Sequence, residues 1–406
     1  MKKTFAALAA LALCGAASAQ SSVTLFGVVD VAVSNVSNKA ERVYTLADLV
    51  NPSLLPDSIK VGRTELRNSG LSSSRLGFRG VEDLGGGLTA GFWLESPLTN
   101  DDGGGLSAFS RRSTVSLAGS FGELRFGRDS TPGKLVDDAF DPFGATGIGG
   151  NLIATAYSHS RLSNTAQYFL PKGLGGVYGN VMYAFHERTE FEPLASNQRD
   201  SKAGRYFGGR IGFANGPLDV AMSYGQLDGA SVSTDTINIT TDRTTKNKIL
   251  NAGVTYDFGV VKLFGMYSQN RQERSTLLAD YNNGFLAIDP KTKVQGYLLG
   301  VTVPVGAGLI RASYAHVKYD DNTVGTLANL WNPIEDRKAN KFALGYQHNL
   351  SKRTALYATV ARVSNKNGAA LTVGGPALTS AQLAYGGANY RMKNSTGYEF
   401  GLRHSF

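Results

Sequence analysis

Cysteine is all but missing from this chain: the single one, Cys14, falls within the first 19 residues. Those residues carry Lys2 and Lys3, an apolar run from Phe5 to Leu13, and then Ala17-Ser18-Ala19, the small residues a signal peptidase requires. The pattern predicts a cleaved secretory signal over 1–19 and a mature domain over 20–406. With the signal gone no thiol remains, which excludes disulfides and cysteine-held metals. Lipid attachment at Cys14 is disfavoured, because Leu13 stands where a small residue is wanted.

Long apolar runs are missing too. Beyond residue 19 no stretch of about 18 apolar residues occurs, so no transmembrane helix is expected. Proline is scarce at 12 residues, and no tract is of low complexity. Charge of one sign is not concentrated anywhere. Losing Lys2 and Lys3 from the 41 basic residues leaves 39 against 32 acidic, a net of +7. These bases are scattered along a chain that leaves the cytosol, which excludes nucleic acid as a partner. His159, His186, His316, His348 and His404 lack metal-ligand spacing, and no nucleophile elbow is present. The glycines between Gly144 and Gly150 suggest a phosphate cradle, but no Lys-Ser/Thr follows them. Asn100-Asp101-Asp102-Gly103 reads as a solvated loop tip more readily than as a calcium site. No cofactor is expected, and no reaction.

What is present is alternation. Tyr398, Phe400, Leu402 and Phe406 interleave with Gly397, Glu399, Gly401, Arg403 and Ser405. Leu250, Ala252, Val254 and Tyr256 do the same, as do Phe342, Leu344 and Tyr346. Successive side chains on a strand point to opposite faces, so each segment has one greasy and one small or polar face. Sixteen such segments are expected, starting near residues 22, 72, 88, 111, 123, 164, 177, 205, 218, 248, 260, 294, 309, 339, 353 and 396. Short Gly-rich turns, such as Asp83-Leu84-Gly85-Gly86-Gly87 and Val305-Gly306-Ala307-Gly308, join them at one end. Longer polar stretches, about 35–68, 97–110, 129–160, 187–203, 228–247, 271–292, 320–338 and 365–393, join them at the other.

That rhythm predicts an all-β fold, a transmembrane antiparallel barrel with short periplasmic turns and long extracellular loops. A soluble sandwich needs strands of only about six residues. Several segments here run to ten or so, the length a tilted strand needs to cross lipid. An even strand number lets the first and last strands pair and leaves no edge.

Four runs, in order, resemble the general diffusion porins of β-proteobacterial outer membranes. They are Ser22–Asp30 (SVTLFGVVD), Ser74–Leu88 (SRLGFRGVEDLGGGL), Phe121–Arg128 (FGELRFGR) and Gly401–Phe406 (GLRHSF). The resemblance implies a homotrimer with one water-filled pore per subunit and a third loop folded inward, here residues 129–160. It implies the barrel-assembly machinery as a partner during biogenesis, with Phe406 as its insertion signal. Outer-membrane lipid and lipopolysaccharide are the implied surroundings, and small ions and solutes the traffic.

The chemistry expected of such a channel is electrostatic filtering by charge around a narrow lumen. Parity points Arg75 and Arg79 inward opposite Leu76 and Phe78, Arg112 opposite Val115 and Leu117, and Arg125 between Leu124 and Phe126. Arg111 aligns better with the family's arginine, Arg128 follows on the same segment as Arg125, and Arg161 stands where the third loop rejoins the wall. Related anion-selective porins draw an arginine cluster from these regions, so mild anion preference is expected. Each arginine has a plainer alternative role, holding loops by salt bridges. Asp129, Asp137, Asp138 and Asp141 of the third loop either face the pore or fix the loop. Rival readings are a solute-specific channel for organic acids or phosphate, an adhesin or structural barrel, and an outer-membrane hydrolase.

Overall fold

The computed structural model describes residues 22–44, 55–106, 108–153, 159–187, 203–234, 240–280, 284–288, 291–322, 336–376 and 378–406. The expected signal segment lies outside them. The strands are β1 (Ser22–Val43), β2 (Ser58–Asn68), β3 (Arg75–Gly85), β4 (Leu88–Pro97), β5 (Arg112–Gly119), β6 (Gly122–Ser130), β7 (Arg161–Phe169), β8 (Val177–Ala184) and β9 (Tyr206–Asn215). They continue as β10 (Leu218–Thr234), β11 (Thr240–Asp257), β12 (Lys262–Asp280), β13 (Gly284–Ile288), β14 (Lys291–Val305), β15 (Gly308–Asn322), β16 (Arg337–Asn349), β17 (Thr354–Lys366) and β18 (Asn389–Ser405). Among the described residues two α-helices interrupt the strands, α1 (Pro132–Ala139) and α2 (Ser380–Leu383). Neither is long and apolar enough to cross a membrane.

Eighteen segments make sixteen positions in the wall. β2 and β3 both pair with the same side of β1, on residues 31–41 and 22–28, so they lie end to end as one interrupted strand. β13 and β14 share β12 in the same way. The break between β2 and β3 is held by Asp30, which accepts from the backbone N–H of Leu71 at 2.9 Å and Ser72 at 2.5 Å and from the Tyr357 hydroxyl at 2.5 Å. Every neighbour is antiparallel, and β18 pairs with β1 from Val28↔Ser405 to Val43↔Asn389, which closes the ring. Closure joins the first strand to the last and leaves the ring no free edge, the condition for a sheet to sit in lipid.

The wall shows the expected alternation. Phe342, Leu344, Tyr398, Phe400 and Leu402 are exposed on the outer face, while Ala343, Gly345, Gly397 and Gly401 between them turn inward. The strands, however, run further into the loops than the alternation of greasy and polar residues. β1 extends to Val43, through a stretch expected as loop, and β2 begins at Ser58 rather than near 72. In the upper half of β1 the outward positions are Asn35, Ser37, Lys39 and Glu41 while Val36, Asn38 and Ala40 are buried inward, so the greasy-out pattern ends while the hydrogen-bond ladder continues.

Inside the ring lies the third loop. Val136, Phe140, Phe143, Ile148, Leu152 and Ile153 of that loop are buried against Met266, Val294, Leu298, Val317, Ala343 and Val363 of the far wall. This is a dry patch inside a barrel whose greasy face otherwise points outward. Helix α1 within it was not expected. Its signal was present: Thr131 caps the helix, accepting from Lys134 N–H, and Pro132 follows at the first turn. Eight residues are too few to impose a helical period on an alternating sequence.

Candidate functional site

Loop and wall leave a cavity of about 740 Å³ between them. On one side it is lined by Arg75 at the head of β3, Arg111 just before β5 and Arg161 at the head of β7. Arg311 of β15 and Lys341 of β16 add two further cations. The loop contributes Lys134, Asp138, Asp141 and the turn from Pro142 to Gly147. Three of the sequence-derived arginines thus meet at one constriction.

One carboxylate serves the arginine wall. Glu95 of β4 receives Arg111 Nε at 2.5 Å, stands 3.7 Å from Arg75 Nε, and accepts from Trp93 Nε1 at 3.1 Å. Among the described residues Arg161 makes no ion pair, so its guanidinium charge is left to the lumen. Lys341 donates to the Gly150 carbonyl, and Arg311 to Gln347. Glu95, Arg311 and Lys341 were passed over in the sequence, although parity opposite Leu94, Ile310 and Phe342 turns each of them inward. Lys134 carried no comparable signal, because helix α1 itself was not expected.

The remaining arginines sit elsewhere. Arg79, four residues nearer the short-turn rim than Arg75, stacks over Phe26 and Trp93 at 5.5 and 5.3 Å. Arg112 lies over Trp93 at 4.5 Å and 3.7 Å from Asp129. Arg125 lies over Phe169 at 4.1 Å, pairs with Glu123 at 2.9 Å, and reaches Asp129 at 2.7 Å. These three form an aromatic-backed tier that does not line the constriction cavity. Arg128 is in register with Ser113, on the parity of the outward Val115 and Phe126. It donates to Ser110 O at 2.6 Å and Ser163 Oγ at 2.8 Å.

The four loop aspartates divide sharply. Asp129 is buried and taken up by Arg125 and Arg112. Asp141, buried, accepts from the N–H groups of Phe143 and Ala145, each at 2.9 Å, and of Asn151 at 2.7 Å, stapling the turn that narrows the lumen. Asp137 faces the wall behind α1 and accepts from Asn251 Nδ2 at 3.0 Å. Burial pushes its carboxyl up to about 7, against the pull of Lys134. Asp138 alone is substantially exposed, and Lys134 pairs with it. At the tip, Gly147 has φ +66° and lies so close to the Gly70 carbonyl that a Cβ would come within 2.0 Å of it, so any side chain would lift the loop from the wall.

Phe406 closes the ring. Its carbonyl accepts from Gly27 N–H at 3.0 Å, its own N–H donates to Gly27 O at 3.1 Å, and its ring occupies the space a Cβ on Gly27 would need. No group of three metal-ligating side chains occurs among the described residues.

Comparison with known proteins follows the geometry. The family model described as Gram-negative porin matches residues 6–368. Outer membrane porin protein 32 of Delftia acidovorans is 37% identical over 418 residues, covering 100% of both chains. An outer membrane porin protein of Bordetella pertussis is 32% identical over 394 residues, covering 88% of this chain and 93% of the relative. Among solved structures, an anion-selective porin from Comamonas acidovorans superposes with a TM-score of 0.67 at 37% identity, covering 95% of this chain and 100% of that one. A sixteen-position lipid-facing ring, a loop folded into its lumen and these relatives agree: the chain belongs to the Gram-negative porins, a diffusion channel of the outer membrane and not an enzyme.

Proposed function

We propose that the pore is weakly anion-selective and that Arg75, Arg111 and Arg161 carry the selectivity. The observation behind this is the asymmetry of the constriction. Its guanidinium groups reach the cavity, while Asp129, Asp137 and Asp141 are spent on the protein's own donors. A unit charge ~5 Å from a permeating ion contributes about 0.8 kcal/mol in water, and salt at physiological strength roughly halves it. Three arginines give roughly 1–1.5 kcal/mol, about a tenfold preference for anions over neutral solutes. The solved Comamonas acidovorans relative, described as anion-selective, supports the same sign.

Around that reading stand four further proposals. Residues 1–19 are removed on export, the mature chain assembles as a homotrimer, Phe406 is read by the barrel-assembly machinery, and lipopolysaccharide surrounds the outer rim. The test of selectivity is the reversal potential across a bilayer in a salt gradient, before and after Arg75→Gln, Arg111→Gln and Arg161→Gln are combined. Loss of most of the anion preference is expected. A wild-type potential of the cation-preferring sign would refute the proposal. The closeness of Arg311 and Lys341 to the three arginines favours a second reading, a saturable organic-acid or phosphate site, which would show as concentration-dependent block of conductance by that solute.

A further inference from the structure

The aromatic-backed tier on the short-turn side of the constriction has a charge imbalance of its own. Arg79, Arg112 and Arg125 face two carboxylates, Glu123 and Asp129. Arg125 takes up both of these, at 2.9 and 2.7 Å, and Asp129 also stands 3.7 Å from Arg112. Arg112 spends its Nε on Thr114 Oγ1 at 3.0 Å. Arg79 is left over. It is exposed, and its guanidinium makes no ion pair or hydrogen bond among the described residues.

What Arg79 does touch is aromatic. Trp93 stands opposite it in the ladder, and Phe26 lies across Gly77 in the space a Cβ there would need. The two rings are half-exposed and meet edge to face with centroids 4.9 Å apart. The Arg79 guanidinium lies 5.3 Å from the indole centroid and 5.5 Å from the phenyl. Trp93 Nε1 donates to Glu95 at 3.1 Å, which holds the indole in place. Four residues of β3 separate Arg79 from Arg75, roughly 13 Å of strand. The tier is therefore a station apart from the constriction, with one unspent cation set in aromatic surface.

We propose that Arg79, Trp93 and Phe26 form a binding station for planar aromatic carboxylates in transit. The carboxylate accepts from the Arg79 fork, and the arene lies against the indole and phenyl rings. Two properties select this ligand class together. Inorganic anions and aliphatic acids satisfy Arg79 but gain little from the rings, whereas a neutral arene meets the rings and leaves the guanidinium without a partner. A flat arylcarboxylate uses both, because a guanidinium pairs with a carboxylate in its own plane and stacks on aromatic faces. The station does not depend on Arg75, Arg111 or Arg161 setting the ion selectivity of the pore.

Trp93 supplies the probe. The only other tryptophan of the chain is Trp331, so the folded W331F channel in detergent reports on Trp93 alone. Benzoate, cyclohexanecarboxylate and benzyl alcohol are titrated against its fluorescence at constant ionic strength. Benzoate should change the emission saturably and bind about fivefold tighter than cyclohexanecarboxylate, the share of ring stacking. It should bind about tenfold tighter than benzyl alcohol, which lacks the charge. In the same background R79Q should lose about tenfold in benzoate affinity, while R161Q should stay within about twofold of the parent. Chloride current through planar bilayers gives a second readout that needs no tryptophan. There W93L should still be blocked by benzoate but should lose its preference over cyclohexanecarboxylate. No saturable change with benzoate, equal binding of cyclohexanecarboxylate, undiminished binding by R79Q or a preserved preference in W93L would overturn the proposal. So would an equal loss in R161Q, which would move the anion to the constriction. A reversal potential of the cation-preferring sign would refute the selectivity reading and leave these titrations untouched.

Discussion

Two sets of charged residues flank the same constriction and behave oppositely. Of the wall arginines, Arg75 and Arg111 share one carboxylate, Glu95, Arg161 makes no ion pair among the described residues, and all three line the cavity. Of the loop's four aspartates, three are consumed by backbone amides, an asparagine or other arginines. The difference is one of reach and valence. An aspartate accepts at two oxygens on a short stem, and a turn's own N–H groups are within that reach. A guanidinium carries five donors on a long stem and is seldom satisfied by a single partner. A narrow lumen lined by both therefore keeps its positive charge and hides its negative charge in the loop.

The largest break in that contrast should come from Asp141→Ala. Three loop N–H groups lose a charged acceptor, and the docked turn should be destabilised by about 2–4 kcal/mol. Faster hydrogen exchange at Phe143, Ala145 and Asn151 and noisier single-channel currents are the expected readouts. Unchanged exchange would mean that the apolar patch under the loop holds it unaided.

Next comes Asp137. Its folded carboxyl titrates near 7, above the ordinary value of 3.8. Between those values the folded state keeps a proton that the unfolded state releases, so stability falls as pH rises from about 4 to 7. Asp137→Asn keeps the acceptor for Asn251 and should flatten that slope. Protection of the α1 amides measured across the same pH range checks it, and an unaltered slope would assign the dependence to another group.

Smaller effects separate one arginine from another. Arg161→Gln should lower the anion preference about twofold. Arg112→Gln, which removes a charge already matched by Asp129 and backed by Trp93, should shift the reversal potential far less. Equal shifts would show that the lower tier also filters ions. Smallest of all, Asp138→Asn frees Lys134 and should raise the anion preference by less than about twofold.

The ring was legible in the sequence because lipid on one side and water on the other impose a period of two on each crossing segment. Phe342-Ala343-Leu344-Gly345-Tyr346 could be read without a structure. Helix α1 and the upper half of β1 could not. Eight residues around Leu135 and Val136 give too little periodicity, and from Asn35 to Glu41 the outward positions are polar while Val36 and Ala40 are buried inward, the reverse of the lipid-crossing pattern. Parity served the site well where strands are regular, as at Arg75 and Arg125. It was weaker where a strand begins, since Arg111 precedes β5; at Arg128 parity already pointed outward, with Val115 and Phe126, and the structure keeps it there.

By itself the sequence determined the export signal to be expected, the strand rhythm, the closed barrel and the inward arginines, since each depends on the order of neighbouring residues. Only the tertiary structure decided which charges face the pore. Asp141 is silenced by amides two, four and ten residues on, Asp137 by Asn251 of the wall behind α1, and Arg111 meets a carboxylate sixteen residues back. Charge in a channel is a matter of distance in space, and the folding of the third loop into the barrel sets those distances.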